Sequence, residues 1–413
     1  MISAEEKNMN ARATTQPARG RRPRDRKEQI VLAAAGLFHR SGYHNVTMEE
    51  IAGAVGITAG ALYRHFRNKQ ELLARAVDDG LLAFELAVEQ TRPGDIEALV
   101  DTMATVTLDR RDLGVLWQRE SRNLPEADRI QLRNRFRTVA AKTTAIVQTA
   151  RPDLPPADAD LLTWALFSVF ASPSHHTVQL PRPRFQILLR QLGTAVIQTR
   201  LPTSEQPEAS PTPQVPSGLP RASRRESLLD AAARLFNERG YQAVSMEDIG
   251  TAAGISSAGI YKHVTAKSEL LVAALTRAAD ALQLDTSQAF ATASTADQVL
   301  ELLLSSYIDL TLASSHLTGA LITEIIHLPD AQRHTIRRLQ HDYVTEWVQL
   351  LNSKAPGLAE PEARVIVQAV LAIANDTARI DHLRQRPQLS QDLITLGQTL
   401  MSLPPHETPE VPT

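Results

Sequence analysis

An all-α protein built from two tandem units is what this sequence predicts, and three observations carry that expectation. One long stretch occurs twice, apolar residues recur at helical spacing along most of the chain, and no segment alternates convincingly as a half-buried strand would. Residues 28–73, EQIVLAAAGLFHRSGYHNVTMEEIAGAVGITAGALYRHFRNKQELL, align without a gap with 226–271, ESLLDAAARLFNERGYQAVSMEDIGTAAGISSAGIYKHVTAKSELL, at an offset of 198. Phe38 falls on Phe236, Gly42-Tyr43 on Gly240-Tyr241, Gly56-Ile57 on Gly254-Ile255 and Lys69 on Lys267. A second match follows: 120–132, ESRNLPEADRIQL, resembles 324–336, EIIHLPDAQRHTI, at an offset of 204, and Pro152 falls on Pro356. Whole two-part modules are therefore duplicated, with six residues gained or lost between the first three helices and the rest.

Composition narrows the class. A chain of 413 residues suits two to four domains, and 43% hydrophobic content can fill real cores. Aromatics are only 4% while Ala and Leu are plentiful, which favours helices. The lack of cysteine excludes disulfides, thiolate zinc sites and a cysteine nucleophile. No apolar run is long enough to span a bilayer, and the polar N-terminus lacks the apolar core of a secretory signal, so the expectation is a cytoplasmic protein with no membrane partner. The net charge is −2, so the positive charge that matters is local. Segment 19–27, RGRRPRDRK, sets Arg19, Arg21, Arg22, Arg24, Arg26 and Lys27 against Asp25 alone, directly before the first repeat.

The elements can be justified in order. Residues 1–24 read as a disordered basic arm, whose Arg19, Arg21, Arg22 and Arg24 suit a minor groove. A small domain follows at 25–70, where Ile30, Ala33, Ala34, Leu37 and Phe38 line one helix face. Thr47 is a hydroxyl N-cap for a second helix at 48–55, with Glu49 placed to suit the helix dipole. Gly56 supplies a left-handed turn, Ile57 plugs it into the core, and Thr58 caps a short third helix at 59–66. A longer helix carries Leu72, Leu73, Ala76, Val77, Leu81 and Phe84 into a helical domain at 71–201, and 161–169 is apolar nearly all round. Six prolines make 202–220 a linker that resists helix and sheet. The pattern repeats at 221–268, with Ser245, Gly254, Ile255 and Ser256 in the same places and helices at 246–253 and 257–264, and again as a helical domain at 269–403. Residues 404–413 read as a disordered tail.

Two helices joined by such a turn can lay the second in a DNA major groove, with its first residues at base edges. Those residues are small, Ala59, Gly60 and Ala61 in one copy and Ser257, Ala258 and Gly259 in the other, which permits close approach and contact with thymine methyls. Tyr63 and Tyr261 lie one turn on, within reach of phosphates, and Arg64 and Lys262 carry charge on the same helix.

Both repeats resemble the N-terminal domain of TetR/AcrR-family transcriptional regulators. The pattern stands here as Ala33-Ala34, Leu37-Phe38, Gly42-Tyr43, Thr47, Ile51-Ala52, Gly56-Ile57-Thr58, Gly60, Leu62-Tyr63, His65-Phe66, Lys69 and Leu72-Leu73. The second copy departs at Ala258, in place of the recognition-helix glycine, and at Val264, in place of the phenylalanine. The resemblance implies a dimeric helical repressor whose first three helices bind DNA and whose larger domain binds a small molecule and dimerises through its last two helices. It further implies phosphate contacts at Thr47, Thr58, Tyr63, His65 and Lys69, and base-facing positions at Ala59, Gly60 and Arg64. The second-copy matches are Ser245, Ser256, Tyr261, His263 and Lys267, then Ser257, Ala258 and Lys262. The expected partner is double-stranded operator DNA in the bacterial nucleoid.

One chain already holds two headpieces, so units one and two are expected to pair within the chain, through 158–172 with 184–200 and 361–380 with 389–402, on a near-palindromic, asymmetric operator. The alternatives are a homodimer of tandem chains and a helical scaffold that no longer touches DNA. Arg221, Arg224 and Arg225 would form a shorter arm for unit two. Each larger domain is expected to enclose a pocket for an apolar or amphipathic effector, with Phe84, Met103, Trp117 and Phe136 as candidates in unit one and Tyr307, His316, Tyr343 and Trp347 in unit two; core packing is the competing role for each. No metal or cofactor is expected: His175-His176 look loop-borne, and His334 and His341 are too far apart to share one ion unaided. No nucleophile elbow, P-loop or dinucleotide fingerprint occurs, which argues against an enzyme.

Overall fold

The computed structural model describes residues 23–202 and 223–404. All regular structure among the described residues is helical. In unit one the order is α1 (Pro23–Ser41), a 3-10 turn at Tyr43–Asn45, α2 (Met48–Ala54), α3 (Ala59–Tyr63), α4 (Lys69–Gln90), α5 (Ile96–Asp109), α6 (Leu113–Gln118), a 3-10 turn at Glu120–Asn123, α7 (Glu126–Ala150), α8 (Pro156–Ala171), a 3-10 turn at Ser172–Ser174 and α9 (Arg182–Gln198). Unit two runs α10 (Arg224–Arg239), α11 (Met246–Ala252), α12 (Ser257–Ile260), α13 (Lys267–Thr292), α14 (Ala296–Ala313), α15 (Ser315–Thr323), a 3-10 turn at Ile325–His327, α16 (Asp330–Lys354), α17 (Glu360–Thr377), the short α18 (Asp381–Arg384) and α19 (Leu389–Met401).

The two offsets in the sequence have a structural explanation. Helix α4 has 22 residues and α13 has 26; α5 has 14 and α14 has 18. Each second-copy helix gains about one turn, while the loop between them shortens by two residues. The insertion thus lengthens a helical hairpin and keeps the alignment constant at 198 before it and 204 after it.

Helix α1 starts at Pro23, a residue suited to a first helical turn, so Arg24 lies within the helix and not in an arm. Arg224 and Arg225 likewise lie in α10, which Ser223 caps, and Arg225 pairs with Glu269 at 3.7 Å. Arg19, Arg21, Arg22 and Arg221, with most of the linker and tail, lie outside the described residues.

The units pack on each other through α8 against α17 and α9 against α19. This is why α8 is apolar all round: Leu161, Leu162, Ala165, Leu166 and Val169 are fully buried, divided between their own unit and the other. Helix α17 is equally enclosed at Val365, Ile366, Val367 and Ala369. The charges at the seam are reciprocal. Asp158 and Glu362 occupy equivalent positions, and each is met by an arginine of the other unit: Arg386 to Asp158 Oδ1 at 2.8 Å, and Arg184 Nε to Glu362 Oε1 at 2.9 Å. The exchange is matched in its acids alone, because Arg182, the counterpart of Arg386, pairs with Asp109 of its own unit and Gln388 is the counterpart of Arg184.

Candidate nucleic-acid interface and effector cavity

Each headpiece is built by the same local devices. Thr47 Oγ1 accepts from the Glu50 N–H at 3.2 Å while Glu50 Oε2 accepts from the Thr47 N–H at 2.7 Å, a closed capping box. Ser245 and Asp248 repeat it at 3.0 and 2.8 Å. Gly56 and Gly254 adopt φ of 67° and 66°, and the N–H of the next isoleucine returns to the carbonyl of Ala52 or Gly250. The recognition helices are shorter than the sequence suggests: α3 ends at Tyr63 and α12 at Ile260, because His65 and Phe66, or His263 and Val264, turn back onto the Leu62 or Ile260 carbonyl before the next helix.

The two turns pack differently. In the first copy Ala52 and Leu62 meet; in the second the same positions are Gly250 and Ile260. A Cβ on Gly250 would stand 2.3 Å from Ile260 Cδ1, so the branched isoleucine requires the glycine. Phe66 packs beneath Lys27, whose Nζ lies 5.2 Å from the ring centroid, and Val264 gives up that contact.

Exposure sorts the expected DNA-facing residues. Tyr63 is 50% and Tyr261 57% exposed, unusual for large side chains in a folded domain. Arg64, Thr58 and Gly60, with Lys262, His263 and Ser256, are exposed too, while Ala59 and His65 are half-buried. A Cβ added at Gly60 would meet nothing within 4 Å, so only a partner molecule could exclude a methyl there. Ser257 and Ala258 begin α12. Thr58 Oγ1 accepts from the Ala61 N–H at 3.2 Å and keeps its proton for another acceptor. By contrast, Thr47 and Ser245 give their protons to Glu50 and Asp248 at 3.1 and 2.6 Å, which commits these hydroxyls to the fold.

Lys69 and Lys267 are also engaged. Lys69 Nζ donates to the Tyr43 and Val46 carbonyls, both at 2.7 Å, and lies 4.3 Å from the Tyr43 ring centroid. Lys267 does the same with Tyr241 and Val244. Burial lowers both lysine pKa values, and one N–H of each ammonium is left for a phosphate.

The corner that each lysine holds is held from behind by the larger domain. Glu120 Oε2 accepts the Tyr43 N–H at 3.0 Å, and Glu324 Oε2 accepts the Tyr241 N–H at 3.0 Å. Both glutamates are almost fully buried, at 2% and 1% exposure. Arg119 pairs with Glu120 and donates to the Phe38 and His39 carbonyls at the end of α1, at 3.0 and 2.8 Å. Unit two has Thr323 at the position equivalent to Arg119. Its Glu324 is met by Arg122 of unit one at 2.9 Å, and Arg122 also donates to the Phe236 carbonyl of α10 at 3.2 Å. The counterpart of Arg122, Ile326, crosses the other way and lies against Gly42, where an added Cβ would approach its Cδ1 to 2.5 Å. The sequence repeat at 120 and 324 marked these glutamates as equivalent; the arginine that meets Glu324 comes from the other unit and was not marked.

The expectation of one pocket per unit is corrected. Among the described residues, a cavity of about 860 Å³ is lined by residues of both units and not of one alone. Phe84, Trp117, Phe136 and His316 line it; Met103, Tyr307, Tyr343 and Trp347 do not. Met103 is fully buried in the unit-one core. In unit two, Tyr307, Tyr343 and Trp347 cluster with centroids 6.0–6.4 Å apart and fill the interior. Their unit-one equivalents are the smaller Met103, Val139 and Thr143, whereas the cavity aromatics Trp117, Phe136, Trp164 and Phe167 correspond to Leu321, Gln340, Gln368 and Leu371. The aromatic residues are thus placed differently in the two copies: at the cavity in unit one and in the packed interior in unit two. The His175-His176 pair sits at the seam, where burial lowers the pKa values to about 4 and about 3. No group of three or more potential metal ligands occurs among the described residues, and no described helix is long and apolar enough to cross a membrane.

Two turn-linked helices with exposed, polar tips, carried on a helical domain, define a DNA-binding regulator. Comparison with known proteins gives the family. Residues 30–76 and 228–274 match the family of bacterial regulatory proteins named tetR, and residues 94–198 match the tetracyclin repressor-like C-terminal domain. The HTH-type transcriptional activator FasR of Mycolicibacterium smegmatis is 34% identical over 39% of this chain and 73% of its own length. The HTH-type transcriptional repressor KstR2 of Rhodococcus jostii is 28% identical over 44% of this chain and 90% of its own. A TetR-family regulator from Bordetella parapertussis, of known structure, is 19% identical with a TM-score of 0.39, covering 44% of this chain and 93% of that one. The chain belongs to the TetR family of DNA-binding transcriptional regulators, with the headpiece present twice.

Proposed function

We infer that one chain acts as a covalently joined pair of unequal reading heads, and that a small molecule in the shared cavity changes its grip on DNA. The observation that carries the pairing is the packing of α8 on α17 and α9 on α19, crossed by Arg386–Asp158 and Arg184–Glu362. A chain that satisfies this surface internally does not need a second copy to present two headpieces. Successive major grooves lie about 34–36 Å apart, and a 19-residue linker extends to roughly 60 Å, so the connection does not restrict the pairing. The heads would read different half-sites, because Arg64 faces Lys262 and Gly60 faces Ala258 across the alignment. Repression relieved by the effector is the working direction; the named relatives include both an activator and a repressor.

Footprinting on a selected operator tests this. Y63A/R64A is expected to remove protection from one half-site and Y261A/K262A from the other, each lowering affinity by about tenfold or more. Equal loss from both halves in both variants would contradict two heads of one chain.

A further inference from the structure

We propose that the shared cavity takes an elongated amphipathic anion, an alkyl or aryl body carrying a carboxylate or phosphate head. The proposal rests on the effector reading of the cavity and specifies its ligand. Its apolar end is an aromatic box: the Phe136 ring lies 4.8 Å from Trp117, 5.7 Å from Trp164 and 5.3 Å from Phe167, centroid to centroid. Its volume of about 860 Å³ is within the range of small-molecule sites.

The charge of the site comes from arginines left without partners. Arg129, Arg133, Arg234 and Arg384 line the cavity, and none has an ion-pair partner among the described residues. Arg129 Nε is buried with no acceptor, and so is Trp164 Nε1, which lines the same space. Buried donors left this way cost free energy unless something accepts from them, and Arg129 Nε, at the basic end, points to an acceptor-bearing head there. The other copy supplies a control. Arg333, the unit-two equivalent of Arg129, pairs with Asp330 and donates to the Ile326 carbonyl at 3.3 Å. The same arginine is thus satisfied in the copy whose interior is filled and unsatisfied in the copy that keeps the cavity.

Polarity along the site follows from α7. Arg129, Leu132, Arg133 and Phe136 fall at helical spacing on one face, so the lining changes from basic to aromatic over two turns. An anionic head belongs at the Arg129–Arg133 end, and the body runs toward Phe136 and Trp164. The lining also holds Glu238, Asp376 and Asp381, but its seven arginines outnumber these three acids, which disfavours a cation. Arg122, which holds the end of α10, lines the same cavity, so the head lies in a field that extends to the second headpiece.

The test uses the full chain without DNA and the fluorescence of Trp117 and Trp164. The probes are dodecanoate, dodecyl phosphate, dodecanol and dodecyltrimethylammonium, all below micelle-forming concentrations. At least one anion is expected to bind ten or more times tighter than dodecanol, and the ammonium more weakly than dodecanol; the two anions separate a carboxylate from a phosphate preference. In R129Q/R133Q the anion preference should fall below threefold with dodecanol affinity unchanged. R133Q alone alters an exposed side chain and should give an intermediate loss, which covers failure of the double variant to fold. Binding of dodecanol or the ammonium as tightly as the anions, or a preference that survives R133Q undiminished, overturns the proposal while leaving the effector reading intact. Binding of none of the four overturns both.

Discussion

Unit one lines most of the shared cavity and supplies the arginines at both headpiece junctions, whereas unit two has an aromatic-filled interior and meets the headpieces through Glu324 and Ile326. Arg119 closes the first junction onto Glu120 and α1, and Arg122 reaches across to close the second onto Glu324 and α10. Thr323 and Ile326 stand at the equivalent places in unit two. Tyr307, Tyr343 and Trp347 pack as an aromatic cluster in unit two, at positions where unit one has the buried Met103, Val139 and Thr143. Duplication produced two regulators; divergence divided their tasks. One copy carries most of the cavity lining, and the other has a packed interior and a headpiece junction closed by an arginine of its neighbour.

The largest expected effect breaks the contrast between the interiors. Trp347→Ala empties a fully buried site and should cost about 3–5 kcal/mol. Trp164→Ala removes a half-buried side chain that already borders open space and should cost less than about 2 kcal/mol. Chemical denaturation of both variants checks this, and equal costs would mean that the interiors do not differ as described.

The junctions come next. Arg119→Ala and Arg122→Ala each strand a buried glutamate, at about 3 kcal/mol of local stability. Amide hydrogen exchange should rise at the end of α1 in the first variant and at the end of α10 in the second. Loosening of α1 by Arg122→Ala would show that the crossing contact is not specific to headpiece two.

A smaller effect separates the two turns. Gly250→Ala forces a Cβ against Ile260 and should destabilise the second headpiece by about 1–3 kcal/mol. Adding Ile260→Leu recreates the Ala52–Leu62 pair of the first headpiece and should recover most of the loss, measured by thermal melting. Absence of any recovery would mean that the Ile255 carbonyl, 2.9 Å from the added Cβ, and not the isoleucine sets the limit.

The headpieces were legible in the sequence because their signals are local. A hydroxyl at 47 or 245, a glycine at 56 or 254 and an isoleucine after it fix cap, turn and plug within a dozen residues. The pairing helices were legible because α8 is apolar on every face. The cavity and junctions were not. Arg122 and Glu324 are 202 residues apart, and nothing near either one announces the other. The aromatic candidates were split between lining and core for the same reason: whether Trp117 or Trp347 borders space depends on helices distant in sequence, the lining coming from both units. Lys69 read as a phosphate contact, but its first partners are the backbone carbonyls of its own headpiece.

The central claim, that one chain presents both reading heads to one operator, is tested most directly by native mass spectrometry of the protein on a duplex carrying a single selected operator. The account predicts one chain per duplex, with its two headpieces on two half-sites. Two chains per duplex, with four headpieces engaged, would contradict it.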